Sequence, residues 1–395
     1  LILVGVVVAL GVLLVLFIKR RIHVKKAALN QEALLDEIGS LNSQVIKLTK
    51  EKDKILALKT GRVGDFIEPV EDGEDGNASV LAEGESRFFK LTQVDEAYKD
   101  YDREAEVFDN EITLEEICER FRNFACSRMG LYYDIRIIRL FLAAFSSTRI
   151  VILQGISGTG KTSLPYAWGK FLENDAQISS VQPSWRDRTE LFGYFNEFTK
   201  MFNETDFLRA CYEANFYKDP HIIVLDEMNI ARVEYYFAEM LSVLEMPRSD
   251  EWLVDIVTTT WDNDPGLING GKIHINENTW FVGTINNDDS TFAVADKVYD
   301  RAIPIDLDSK APAFEAPDTE PVFVTAEHLI DLFNEAKQMY PISQENLKKL
   351  EELDYYVIKH FRLAFGNRIM KQLKDFVPCY VACGGTEIDG IDFMV

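Results

Sequence analysis

Residues 150–173 read IVILQGISGTGKTSLPYAWGKFLE. A short β-branched run, Ile150 to Gln154, passes into GISGTGKT, Gly155 to Thr162, and then into the helical pattern SLPYAWGKFLE. This is a complete G-x-x-x-x-G-K-T motif in the strand–loop–helix setting that it requires. Glycines there let successive backbone N–H groups turn inward around phosphates, and the N-terminus of the following helix adds partial positive charge. Gly155, Ser157, Gly158, Thr159, Gly160, Lys161, Thr162 and Ser163 are therefore expected to line a phosphate site. Lys161 is placed to contact the β- and γ-phosphates, and Thr162 to ligate a magnesium ion.

Two further strand ends belong with this loop. HIIVLDEMNIARVEYYF is a hydrophobic strand that stops at Asp226 and Glu227. Carboxylates at the C-terminal end of a central strand lie beside the phosphate loop, where Asp226 can hold magnesium through water and Glu227 can orient an attacking water. TWFVGTINNDDSTF places Asn286 at the end of another apolar strand. A neutral amide at that point can hydrogen-bond the water or the γ-phosphate without adding negative charge. Asn-Asn-Asp-Asp is also ordinary turn chemistry, but the repeated strand-end position favours the site.

Outward from the loop, residues 112–147 carry apolar residues at helical spacing (Leu114, Ile117, Phe121, Phe124, then Ile135, Ile138, Phe141, Leu142), with Thr113 as a cap. To about Asp308 short β-branched runs alternate with helical patterns, the signature of a parallel sheet with helices on both faces. The α/β expectation is a three-layer αβα core over 111–312, followed by an all-helical lid over 313–395. Residues 61–110 read as an acidic linker, because 65–85 holds eight acidic residues and no basic one. Before it, over 19–60, comes a basic flank, and then Leu34, Ile38, Leu41, Val45, Leu48 and Ile55 repeat at steps of four and three, with Lys52 in the one polar seam position, a short coiled-coil seam weakened by Gly39. A single amphipathic helix at a membrane surface is the alternative.

The N-terminal run LILVGVVVALGVLLVLFI, residues 1–18, is uncharged and about 27 Å long as a helix, close to a bilayer's hydrocarbon thickness. Lys19, Arg20, Arg21, Lys25 and Lys26 follow it. That charge asymmetry reads as a single-pass transmembrane helix whose C-terminal side faces the cytoplasm. The alternatives are a buried core helix and a cleaved signal peptide, and the latter would carry its charges on the other side.

Across 395 residues the net charge is −23, which argues against a general nucleic-acid-binding surface, since phosphate neutralisation needs clustered Lys and Arg. A local basic groove stays open. Cys118, Cys126, Cys211, Cys379 and Cys383 are odd in number and lack zinc spacing, so they read as reduced thiols.

Together LQGISGTGKTSL, VQPSWRDRTELFGYFN, VLDEMNIARVEYYFAEMLSVLE and GTINNDDSTFAVADKVYDRA resemble the AAA+ ATPases, specifically the McrB-like and dynein-related branch that neighbours the MoxR group. The resemblance runs from about Glu111 to the C-terminus. It implies an ATP- and Mg²⁺-dependent hydrolase, with GTP as the alternative nucleotide, assembled as a ring that is usually hexameric. It further implies that Arg301, in VYDRA, is the arginine that one subunit gives to its neighbour's γ-phosphate, and that Arg368, in FGNRIMKQL, reads nucleotide within its own subunit. A surface salt bridge is the other reading of Arg301. Trp185 and Phe192 are placed in an insertion of this branch, facing a pore or partner or simply packed. Nothing matches a nuclease or a modified-base-binding domain, so an intrinsic nuclease role does not carry over. The expectation is an ATPase that moves an unknown protein or nucleic-acid client, with a McrB-like GTPase motor of a defence system, or a nucleotide-dependent scaffold with little turnover, as alternatives. The chain begins at Leu1 and stops at IDGIDFMV, where the resembling family continues the lid, so it reads as a fragment at both ends.

Overall fold

Ile150, Val151, Ile152 and Leu153 are all buried, as a strand covered on both faces must be. In the computed structural model, which describes residues 85–101, 108–286, 291–362 and 365–395, they form β1 (Ile150–Gly155) near the middle of a five-stranded sheet. The other strands are β2 (Gln177–Ser180), β3 (His221–Asp226), β4 (Thr279–Asn286) and β5 (Ile303–Asp306). Their spatial order is β2-β3-β4-β1-β5 and every pairing is parallel. All described residues lie in the unit Asn77–Val395. The apolar run 1–18 and the heptad stretch lie outside the described residues. Among the described residues no helix is long and apolar enough to cross a membrane.

The two faces of the sheet separate by the period-2 rule of strands. Val151, Leu153, Ile222, Val224, Trp280, Val282, Ile303 and Ile305 face one core, while Ile150, Ile152, Ile223, Leu225, Phe281 and Ile285 face another. The second core is closed by α1 (Lys90–Ala97) and by apolar residues of 207–241. The first is closed by α2 (Leu114–Met129), α3 (Ile135–Ala144) and α4 (Ser163–Phe171). Trp168 of α4 meets Phe121 of α2 edge-on, with centroids 5.1 Å apart. α5 (Asp206–Glu213) leads back into β3 and packs on α1. Thr113 caps α2 as expected, its hydroxyl accepting from the Glu116 N–H at 3.3 Å. This three-layer α/β arrangement is that of a P-loop NTPase-like core.

One element departs from the sequence reading. Residues 85–101 fall inside the stretch read as linker, yet Phe88, Leu91 and Val94 are buried and α1 is docked. Glu204 explains the anchoring: its carboxylate accepts from the N–H groups of Phe89, Lys90 and Leu91 at 2.7–2.8 Å, satisfying the first amides of the helix. Arg87 adds a buried ion pair with Asp264 at 2.7 Å and lies over the Trp261 ring.

The lid is all-helical: α6 (Ala326–Met339), α7 (Gln344–Phe361), α8 (Asn367–Ala382) and α9 (Glu387–Met394). Capping residues explain where three of them start, because Thr325, Ser343 and Thr386 each accept from the backbone N–H three residues on. α8 buries Leu373, Phe376, Val377 and Tyr380 and packs against α3, α6 and α9. Since α3 also covers the sheet, the lid shares the first core with the α/β body.

His221, at the start of β3, is buried with neither ring nitrogen hydrogen-bonded and its ring stacked on Tyr217. Burial pushes its pKa down to about 4, against the opposing pull of the Glu213 carboxylate. As pH falls from about 6.5, the unfolded chain takes up this proton first, and the folded chain does so only near 4. Stability present above pH 6.5 should therefore decline through that window, by about 3 kcal/mol in all. His221→Phe, which keeps the stacked ring, should flatten the melting temperature between pH 6.5 and 4.5 relative to the parent; parallel slopes would show that another group governs the acid loss.

Candidate nucleotide site

β1 delivers the chain into the loop with Gly155 at φ +138°, where a Cβ would lie 2.6 Å from the carbonyl oxygen of Leu307. Only glycine fits that close approach. Gly158 and Gly160 also have positive φ, and Ser157 and Gly158 form the exposed crown of the loop. Tyr133, from the turn before α3, donates its hydroxyl to the Gly160 carbonyl at 3.2 Å, and the Thr159 hydroxyl donates to the Ile156 carbonyl at 3.0 Å. Burial raises the pKa of Tyr133, so it stays a neutral donor.

Lys161 is buried under this loop, and its ammonium donates to the carbonyls of Gly155 at 3.0 Å and Ile156 at 2.6 Å. Burial lowers its pKa, while the Asp226 and Glu227 carboxylates pull the other way. A buried cation whose acceptors are carbonyls has more to gain from an anion. Ser163 opens α4 immediately behind it.

At the end of β3 the Asp226 carboxylate is held by two hydroxyls. Thr162 donates to its Oδ1 at 2.6 Å, and Thr284, from β4, donates to the same oxygen at 2.8 Å. The Thr284 hydroxyl in turn accepts from the Glu227 N–H at 2.9 Å. Glu227 has a left-handed backbone, φ +54°, which turns its carboxylate away from the strand direction. Its Oε1 accepts from the Asn286 amide at 3.4 Å, a long contact that brings the two side chains together at neighbouring strand ends. Asn229 is buried behind them and donates to the Asn286 carbonyl at 3.0 Å and the Thr291 hydroxyl at 2.9 Å. It ties the end of β4 to the chain that returns after it.

The donor set around Thr162 and Asp226 is hard oxygen, one hydroxyl and one carboxylate, and it suits magnesium completed by water and phosphate oxygens. Among the described residues no group of three or more His, Cys, Asp or Glu could hold a metal by itself. A site that relies on the nucleotide for its remaining ligands needs no such group.

The two arginines stand elsewhere. Arg301 precedes β5, and β5 runs parallel to β1 with Ile303 beside Val151. The Thr148 hydroxyl donates to the Arg301 carbonyl at 2.7 Å, so Arg301 lies level with the start of β1. Lys161 lies beyond the other end of that strand. Six residues of strand from the level of Arg149 to Gly155 separate the two levels by roughly 20 Å. Arg301 donates to the Lys297 carbonyl at 2.6 Å and forms an ion pair with Glu245 at 2.7 Å. Arg368, at the start of α8, pairs with the other oxygen of Glu245 and is 4.0 Å from Asp300. Thus Lys161, Thr162, Asp226, Glu227 and Asn286 are assembled at one end of the sheet, and Arg301 and Arg368 together at the other. Of the insertion aromatics, Phe192 is fully buried, and Trp185 is half-buried against Tyr236. Phe192 is thus a packing residue.

Thr284, Asn229, Tyr133 and Glu245 escape a reading by motif. Thr284 alone carries a signal, since it is polar within an apolar strand and stands two residues before Asn286, hence on the same face.

No family model matches the chain, and no curated protein matches it. Among solved structures, a full-length MCM homologue from Methanopyrus kandleri is similar, with 12% sequence identity and a TM-score of 0.40 over 71% of this chain. This chain spans 58% of that protein's length.

Replacing Thr284 by Val keeps the shape but removes the donor to Asp226 and the acceptor for the Glu227 N–H, and should destabilise the fold by about 2 kcal/mol. Thr284→Ser restores both bonds and should cost much less. Urea midpoints of the three proteins check this; equal midpoints for the Val and Ser variants would contradict it.

Proposed function

We propose that this chain is a magnesium-dependent nucleoside triphosphatase of the AAA+ type, of the McrB-like branch, acting on ATP in a ring of identical copies. The observation that carries the reading is the Thr162 hydroxyl at 2.6 Å from Asp226, with Lys161 folded under the same loop and Glu227 beside Asn286. Lys161 and the inward backbone amides of 155–162 bind the triphosphate. Thr162 and Asp226 would hold a magnesium ion, which would supply positive charge to offset that of the phosphates. Glu227 orients a water for in-line attack on the γ-phosphorus and takes its proton as the bond to the β-phosphate oxygen breaks, giving nucleoside diphosphate and phosphate. The Asn286 amide holds Glu227 and the water without adding charge. Arg301 of a second copy stabilises the negative charge that develops on the γ-phosphate, a role its distance from Lys161 in the same chain supports.

The apolar run 1–18 and its basic flank support anchoring of this body to a membrane with the ring on the cytoplasmic side, and the coupling of hydrolysis to movement of a protein or nucleic-acid client. GTP in place of ATP remains the competing substrate of the same chemistry, so both are measured side by side.

Lys161→Ala should abolish nucleotide binding. Glu227→Gln should bind nucleotide with little change but lower kcat by roughly 100-fold or more, as loss of the water-orienting carboxylate does. Isothermal titration with the nucleotide and steady-state phosphate release, each with magnesium and with chelator, read both effects. Hydrolysis by either variant at the parent rate would overturn the proposal.

A further inference from the structure

Arg301 and Arg368 come from elements far apart in the sequence, yet they meet on one carboxylate. Glu245 gives one oxygen to each guanidinium, much as two oxygens of a single phosphate would. Around them a cavity of about 750 Å³ lies between the N-terminal ends of the strands and the lid. Arg149 and Lys371 also line it. Arg149 lies over the Trp280 ring at 4.3 Å, and its Nη1 is buried with no hydrogen-bond partner. The Nε of Arg301 is likewise buried without one. Burial lowers the pKa of Arg149 to about 10, opposed by Glu277, so it is still a cation at neutral pH. Buried N–H donors left without acceptors are uncommon in folded proteins and mark a place where an acceptor gains much. The cavity thus has three guanidiniums and two unfilled donors, and one carboxylate, Glu245, occupies two of the three guanidiniums; of the other carboxylates lining it, Asp375 pairs with Lys337 and Glu277 lies near Arg149, so cations remain in excess.

We infer that this cavity receives the polyphosphate of a nucleotide bound to a second copy, and that Glu245 is a built-in competitor which restrains Arg301 and Arg368 until that phosphate arrives. The inference rests on the proposed function for its ligand. It also assigns Arg368 to the neighbour's nucleotide rather than to its own subunit's, because Arg368 shares its carboxylate with Arg301. The side chain of Glu245 is 30% exposed, so it can turn to water when a more highly charged anion replaces it. Release of both arginines is then tied to the arrival of a loaded neighbour, and a free subunit keeps its arginines out of reach.

Glu245→Gln keeps the size of the side chain and removes its charge. The first arm uses inorganic tripolyphosphate on the Lys161→Ala chain, whose own phosphate loop is disabled, with binding followed by tryptophan fluorescence, since Trp252 lines the cavity. Adding Glu245→Gln should tighten this binding by about tenfold, and Glu245→Asp should leave it near the parent value. Adding Arg149→Ala to the Gln variant should remove the gain. The second arm measures specific hydrolysis against protein concentration in the otherwise native chain. There Glu245→Gln should reach half-maximal activity at a several-fold lower concentration. Unchanged or weaker tripolyphosphate binding would overturn the inference, as would a higher half-maximal concentration, which would make Glu245 a positioning residue for Arg301. A parent without hydrolysis would sink the proposed function alone, because the first arm does not depend on turnover.

Discussion

The direction of the strands constrains everything else in this protein. In a parallel sheet every C-terminal end points the same way, so β1, β3 and β4 bring the phosphate loop, Asp226–Glu227 and Asn286 to one side. The same parallel register sends Arg301, which precedes β5, to the opposite side. With roughly 20 Å of strand between them, no rotamer change within one chain joins Arg301 to Lys161. Under the proposed function, phosphate binding and charge neutralisation would be split between two faces of one subunit, and a second copy would rejoin them.

At the C-terminal ends of the strands, order comes from hydroxyls rather than from charge pairing. Thr162 and Thr284 both donate to one oxygen of Asp226, and Thr284 also fixes the Glu227 amide. Three chain segments from different strands are thereby registered to about a hydrogen-bond length. A salt bridge at the same place would compete with magnesium and phosphate, whereas neutral donors leave Asp226 its negative charge for a metal. At the opposite face the logic is reversed. Arginines, which cannot shed their charge, are held by Glu245 and by aromatic rings.

Much of the core was legible in the sequence because it depends on local rules. Gly155 is required by backbone approach, Lys161 and Thr162 by the motif, and Asp226 and Asn286 by where apolar strands end. The sheet with helices on both faces follows from β-branched runs alternating with helical spacing. What stayed hidden depends on contacts between distant residues. The helix at Lys90–Ala97 lies in a stretch dominated by acidic residues, and its docking is set by Phe88, Leu91, Val94 and a distant Glu204. Thr284 looks like any strand threonine until Asp226 is placed opposite it. Arg368 was recognisable as a candidate, but the direction it faces is set by lid packing, and Glu245, the last residue of the quoted stretch VLDEMNIARVEYYFAEMLSVLE, carries no role that its pattern assigns. The membrane segment and the heptads remain readings of the sequence, since 1–84 lie outside the described residues.

The central claim is that the site is completed by a second copy, and mixing two inactive chains tests it most directly. Lys161→Ala lacks the phosphate grip but keeps its arginines; Arg301→Ala keeps the phosphate grip and lacks the arginine. If each chain lends Arg301 to its neighbour, an equimolar mixture regains nucleotide hydrolysis that neither variant shows alone, because some contacts pair an intact loop with an intact Arg301. If the mixture stays as inactive as its parts while mixed assembly is demonstrated by co-sedimentation, Arg301 does not act across copies, and the shared-site account is wrong.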